Sequence, residues 1–212
     1  MPIRYKLTDQ AGRTYLGFQW PLPDGETPGA WVETSGEGPL CGPGWLHFYD
    51  DPLLAALHNS IHANIPNPRL WKVEVAGEEL RDGQMKNGWT RARLICELPL
   101  PKVTTTQRVA YGILCAREIA KDSKWLAWAE AWLSGTNRIR AAAEEAWRAS
   151  WASATTSWTE TAEAERAAAA ASSQEDAADA ARLAASASWA AQEASMADLD
   201  LLTLAKKALE YS

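Results

Sequence analysis

Proline is confined to one end of this chain. All 11 prolines of the 212-residue sequence lie at or before Pro101, and alanine supplies 31 of the 93 residues from Ala120 to Ser212. The proline ring removes a backbone donor and clashes with the preceding helical turn, whereas alanine has the highest helix propensity. The two stretches therefore cannot fold alike. The first reads as strands and turns, the second as helices. The expected class is α+β: a small mixed α+β recognition domain over residues 1–103, then an alanine- and tryptophan-rich helical hairpin, bundle or coiled coil over residues 104–212.

Local patterning places elements within this frame. Ile3 to Leu7 reads as a short strand, Tyr15 to Trp20 as a second that stops at Pro21-Leu22-Pro23-Asp24-Gly25, and Trp31 to Thr34 as a weaker third. After the turn Cys41-Gly42-Pro43-Gly44, the run Trp45 to Tyr49 is rich in strand formers. Asp51-Pro52 supplies a cap and a first-turn proline for a helix through His62. Arg69 to Val75 alternates Leu70, Lys72 and Glu74 with Trp71, Val73 and Val75, a strand with two distinct faces, and Ala92 to Leu98 reads as another.

Beyond Pro101, Thr104-Thr105-Thr106 opens a helix through Ile119, and Asp122 or Ser123 opens one that Gly135 stops. Trp125, Trp128 and Trp132 form one helical stripe, and Trp147, Trp151, Ala154 and Trp158 a second. Gln174 to Met196 repeats this vocabulary around Trp189, and Asp198 caps a last amphipathic helix carrying Leu199, Leu202, Leu204 and Leu209. Small-residue faces filled by sparse indoles want a helical partner, in the same chain or in a second subunit, so homo-oligomerisation through the helical region is expected.

Charge and hydropathy narrow the function. The net charge is -6, which opposes coating of nucleic acid through its phosphates, so no DNA partner is expected. No apolar run approaches the roughly 20 residues of a membrane span, and no apolar leader follows the basic residues of the N-terminus. Three cysteines, Cys41, Cys96 and Cys115, suit a reducing compartment. A cytoplasmic protein that does not engage a membrane is the expectation.

Chemistry-bearing residues concentrate near position 45. Gly42 and Gly44 can leave backbone N–H groups open to an anion, and Trp45, His47, Phe48 and Tyr49 follow at once. Aromatic faces, an imidazole and N–H donors suit a small nucleotide-like ligand. Arg4, Lys6 and Arg69, with Lys72, Arg91 and Arg93, lie on or beside strands where they can meet phosphates, although each taken singly also reads as a solvated surface charge. The binding set is thus Gly42, Gly44, Trp45, His47, Tyr49, Arg4, Lys6 and Arg69. Cys41, His47, His58 and His62 are zinc-ligand types, but their spacing matches no recognised finger, so neither metal nor cofactor is assigned. No nucleophile motif occurs, and Glu74 and Glu97 are the only carboxylates in strands that invite a catalytic role.

Two resemblances rest on these residues. Cys41-Gly42-Pro43-Gly44-Trp45-Leu46-His47, the helix from Pro52, and Arg69-Leu70-Trp71-Lys72-Val73-Glu74-Val75 resemble an uncharacterised family of phage and prophage proteins over residues 1–100. The resemblance implies a mobile-element origin and an accessory role in an infected bacterial cell, and it brings no activity with it. Gly44-Trp45-Leu46-His47-Phe48, followed by a helix and a Val-Glu-Val strand, is also similar to the aromatic nicotinamide-stacking region of ADP-ribosyltransferases. That likeness implies His47 as the stacking residue, Arg4 or Lys6 as the first-strand base and Glu97 as the catalytic glutamate, with one extra residue between glycine and the aromatic position. Three functions therefore stay open at this level. They are a non-enzymatic phage accessory or anti-defence protein that binds a nucleotide-like ligand or a host protein, an NAD-consuming enzyme, and a structural assembly protein.

Overall fold

The structure is a computed structural model, and it describes residues 1–14, 17–84, 86–118, 123–139, 142 and 199–212, with backbone alone for residues 60–62 and 82. The described residues form an antiparallel sheet and four helices, a mixed α+β fold. The chain divides into two compact units, Met1–Lys102 and Val103–Ser212. No described helix is long and apolar enough to cross a membrane. The second tryptophan stripe, Trp147 to Trp158, and the repeat around Trp189 lie outside the described residues.

The first unit is built around one long hairpin. Strand β1 is Ile3–Thr8, β2 Val32–Glu33, β3 Leu46–Phe48, β4 Arg69–Asp82 and β5 Lys86–Leu98, with helix α1 over Pro52–His62. Strands β4 and β5 pair along nearly their whole length, β1 lies on the free edge of β4, and β2 and β3 share the far edge of β5. Sequence patterning stopped β4 at Val75 and began β5 at Ala92. The strands extend further because register shifts at Lys72/Val73 and Ala76/Glu79 bend the ladder without ending it. Gly77, at φ +83, takes the left-handed conformation that the second shift needs, and a Cβ there would strike the Thr90 hydroxyl. The described part of the run Tyr15 to Trp20 forms no strand. A single bridge joins Arg13 to Gln19, because the turn after Asp9 closes the loop locally.

The bent sheet closes on itself. Just past β3, Tyr49 exchanges two backbone hydrogen bonds of 2.9 Å with Tyr5 of β1. Strands β1, β4, β5 and β3 therefore form a ring. Its inside holds Trp20, Leu46, Phe48, Trp71, Val73, Val75, Trp89, Ala92 and Leu94. On the other face, Leu7, Tyr49, Ala55, Ile65 and Leu70 pack together, so α1 covers that side. The alternation seen between Leu70 and Trp71 thus separates two cores. Helix α1 begins as its residues dictate, with the Asp51 carboxylate accepting from Leu53 N at 2.7 Å and Pro52 in the first turn.

In the second unit, α2 (Thr105–Arg117) starts with a capping box between Thr104 and Gln107 and buries every residue from Val109 to Ala116. Helix α3 (Ser123–Leu133) buries the stripe Trp125, Trp128 and Trp132, with the first two rings 5.9 Å apart. The last helix, α4 (Leu201–Ala208), is capped by Asp200 rather than Asp198, since the Asp200 side chain reaches Thr203 N at 3.0 Å. This shift also moves the buried face, which comprises Leu201, Ala205 and Ala208 and leaves Leu209 exposed. Helix α4 packs on α2, and Gln107 Nε2 donates to the Leu209 carbonyl at 3.0 Å.

Phe48 is fully buried at the point of closure. Phe48→Ala is expected to cost about 3–5 kcal/mol of unfolding free energy, read as a lower denaturant midpoint with unchanged slope.

Candidate functional site

The inward face of β1 is polar. Residues directly opposed in an antiparallel ladder share a face, and the register sets Arg4 against Val73, Lys6 against Trp71 and Thr8 against Arg69. Arg4, Lys6 and Thr8 therefore line the inside of the ring. Thr8 accepts a 2.8 Å hydrogen bond from Trp71 Nε1. Arg4 Nε lies 3.0 Å from Asp50 as an ion pair, without hydrogen-bond alignment, and its guanidinium also reaches Glu79 at 3.3 Å. Arg81 joins the same two carboxylates, and Asn87 donates to Asp50 at 3.1 Å while accepting from Trp89 Nε1.

Lys6 is different. Its residue is 8% exposed, and its ammonium lies 5.0 Å from the centroid of the Trp20 ring and 4.9 Å from that of Phe48. Its one hydrogen bond among the described residues runs 2.8 Å to the His47 carbonyl, and no described carboxylate pairs with it. Burial pushes its pKa from the ordinary 10.5 down to about 7. The expectation of a solvated surface charge fails here, because ring closure turned the polar face of β1 inward.

The alternation of β3 sets the His47 ring on the face opposite Leu46 and Phe48, and two cations act on it by charge. Its Nε2 hydrogen-bonds the Leu40 carbonyl, and its pKa is lowered, first by burial and then by the charges of Lys6 and Lys86, against the pull of that carbonyl. Lys86 Nζ reaches Cys41 Sγ at 2.9 Å. Lys6 thus touches the β3 backbone from inside the ring, while Lys86 acts on His47 from β5 by its charge.

The remaining candidates are placed as follows. Gly42 N donates to the Pro39 carbonyl at 2.7 Å, so that donor is spent on the turn. Gly44 accepts from Gly36 N at 2.9 Å, and a Cβ on it would collide with the Glu37 carbonyl, so its role is close packing of two backbone segments. Trp45 is buried and donates Nε1 to the Gly38 carbonyl at 3.0 Å. Tyr49 is buried on the α1 side, its ring 6.2 Å from that of His58, and burial raises its phenol pKa well above the usual range. Arg69 is apart from the others. It stacks on Trp71 at 4.4 Å and pairs with Glu97 at 2.7 Å, and the hydrogen bond to Arg69 holds the Glu97 carboxyl below its ordinary pKa.

His47 opposes Gly88 on β5, whereas Glu97 lies nine residues further along that strand, about 30 Å of strand path away. The pair that the ADP-ribosyltransferase likeness implies does not converge. Glu74 pairs with Arg93 at 2.6 Å. Among the described residues no group of three or more His, Cys, Asp or Glu side chains could hold a metal ion, and the His62 side chain lies outside the description. Trp20, Lys86 and Asp50 belong to this neighbourhood but carried no sequence signal, since each comes from a different segment. No family model, curated protein or solved structure matches the chain.

The buried amine has a pH signature. Between about pH 7 and 10.5 the unfolded chain holds a proton on Lys6 that the folded one releases, so stability rises with pH by up to about 1.4 kcal/mol per unit. Below that window both states are charged and the burial cost is fully present. Denaturant titrations of the wild type from about pH 7 to 9.5 should show this rise, and Lys6→Met should flatten it and be the more stable protein at the acid end.

Proposed function

We propose that this chain is a non-catalytic accessory protein, of the phage type its sequence resembles, that binds a small nucleotide-like anion through the ring formed by its first unit. One observation carries the reading. Arg4, Arg69, Arg81, Arg91 and Arg93 each face a carboxylate within 3.0 Å, whereas Lys6 and Lys86, whose charges both act on His47, pair with no described carboxylate. In a chain of net charge -6, such a concentration of unbalanced positive charge is a feature that an anion would complete. Holding a phosphate needs donors and cations but no acid–base pair, and His47 and Glu97 sit at opposite ends of β5. A protein that sequesters a nucleotide signal has this economy of parts. On this reading the helical region multimerises the binding unit in the cytoplasm of a bacterial host.

Calorimetric titration of the full chain with cyclic dinucleotides and ADP-ribose derivatives, at about pH 6.5 where Lys6 is charged, should return heat with one of them. His47→Ala or Lys86→Ala should weaken that binding about 10- to 100-fold, the effect of removing one charge-assisted contact. A folded protein that gives no heat with any of these ligands overturns the proposal. Light scattering of the same sample should give a mass above the 23.2 kDa of one chain, and a monomer removes the multimer from it.

A further inference from the structure

The indole that carries the Lys6 ammonium on its face has a need of its own. Trp20 is 2% exposed, and its Nε1–H is buried without an acceptor. Beside it, a charged Lys6 has three protons to donate and spends one on the His47 carbonyl. Phe48 closes the far side, 6.1 Å from Trp20. Two groups, each more than nine-tenths buried and stacked one on the other's ring face, thus have donors to spare: the Trp20 N–H, and the Lys6 protons beyond the one given to His47. Elsewhere inside the ring, the indole donors are matched, Trp71 by Thr8 and Trp89 by Asn87, and Arg4 is balanced in charge by Asp50 and Glu79 although its Nε makes no hydrogen bond. Buried donors in folded proteins are paired almost without exception, and an unmatched cluster is where a ligand acceptor belongs.

We infer that Lys6 Nζ and Trp20 Nε1–H form an oxyanion site inside the ring, taking separate oxygens of one phosphoryl or carboxylate group. This deepens the binding function proposed above by naming the group that would enter, and it rests on that reading only for the nucleotide part. The chemistry follows from the donors. The ammonium supplies the charge, the indole N–H a directed neutral donor, and the aromatic walls a low dielectric that strengthens both. An incoming anion also restores the charge on Lys6, so binding at alkaline pH takes up a proton. Other charged groups near the site are His47 and Lys86 on the β3 and β5 side and Arg4, with its carboxylates Asp50 and Glu79, two residues along β1.

The test uses the full chain with three simple probes: inorganic phosphate, acetate, and sulfate, whose charge does not change between the two pH values used. Binding is read as a thermal shift and by calorimetry. Sulfate should bind the wild type at about pH 6.5 and bind about tenfold more weakly for each unit of pH above 7. Phosphate binding without acetate binding assigns the site to phosphoryl groups, and the reverse assigns it to carboxylates. Trp20→Phe, which keeps an aromatic wall and removes the N–H, should weaken binding at least threefold, and Lys6→Met should abolish it. If Lys6→Met fails to fold, the pH dependence of the wild type still decides. Absence of binding by all three probes, binding that ignores pH, or unchanged binding in Trp20→Phe overturns the site. Nucleotide binding that survives Lys6→Met would leave the proposed function standing and this inference refuted, and oxyanion binding without nucleotide binding would do the opposite.

Discussion

Two backbone hydrogen bonds between Tyr5 and Tyr49 determine what the rest of the first unit can be. An open sheet built from the same strands would present Arg4, Lys6 and Thr8 to water on one face and Tyr5 and Leu7 to α1 on the other. Joining the end of β3 to β1 makes the first face an interior. From that moment each polar group on it must find a partner or carry an energetic cost. Arg4 finds Asp50 and Glu79, Thr8 finds the Trp71 indole, and Lys6 finds one carbonyl and two aromatic faces.

Tryptophan does two jobs in this protein, and they differ by unit. In the first unit, indole faces carry cations: Arg4 over Trp89, Lys6 over Trp20, Arg69 over Trp71, and both Arg91 and Arg93 over Trp31. Most of these cations are also held by carboxylates, so the stacks fix side-chain geometry on the strands and add modest energy. In the second unit Trp125, Trp128 and Trp132 fill a buried stripe among alanines, where bulk is what the site requires. Only Arg138 over Trp132 repeats the first pattern there among the described residues.

Much of the local architecture was legible in the residues. The Asp51-Pro52 cap, the Thr104 start of α2, the stop at Gly135 and the two faces of β4 follow from chemistry that acts over a few positions, and such chemistry is written in order along the chain. The misreadings share a cause as well. The hairpin was cut short because Gly77 and Gly83 look like chain punctuation, whereas here Gly77 bends a continuous ladder. The last helix is capped by Asp200 instead of Asp198, a start that buries Leu201 in a helix packed on α2. The candidate site was half visible. Lys6 and His47 stood out by type, but Lys86 comes to His47 through the pairing of β3 with β5, and Trp20 to Lys6 inside the closed ring, relations between segments that no spacing encodes.

The clasp between Gln107 and Leu209 has a consequence for how this polypeptide is organised. Helix α2 receives the final helix of the chain, and Arg138 grips the carbonyl of Ser212 itself at 2.6 Å. Losing the last dozen residues would strip a flank of α2 and release Arg138 together, so a helix that begins at Thr105 owes its cover to residues about a hundred positions later in the chain.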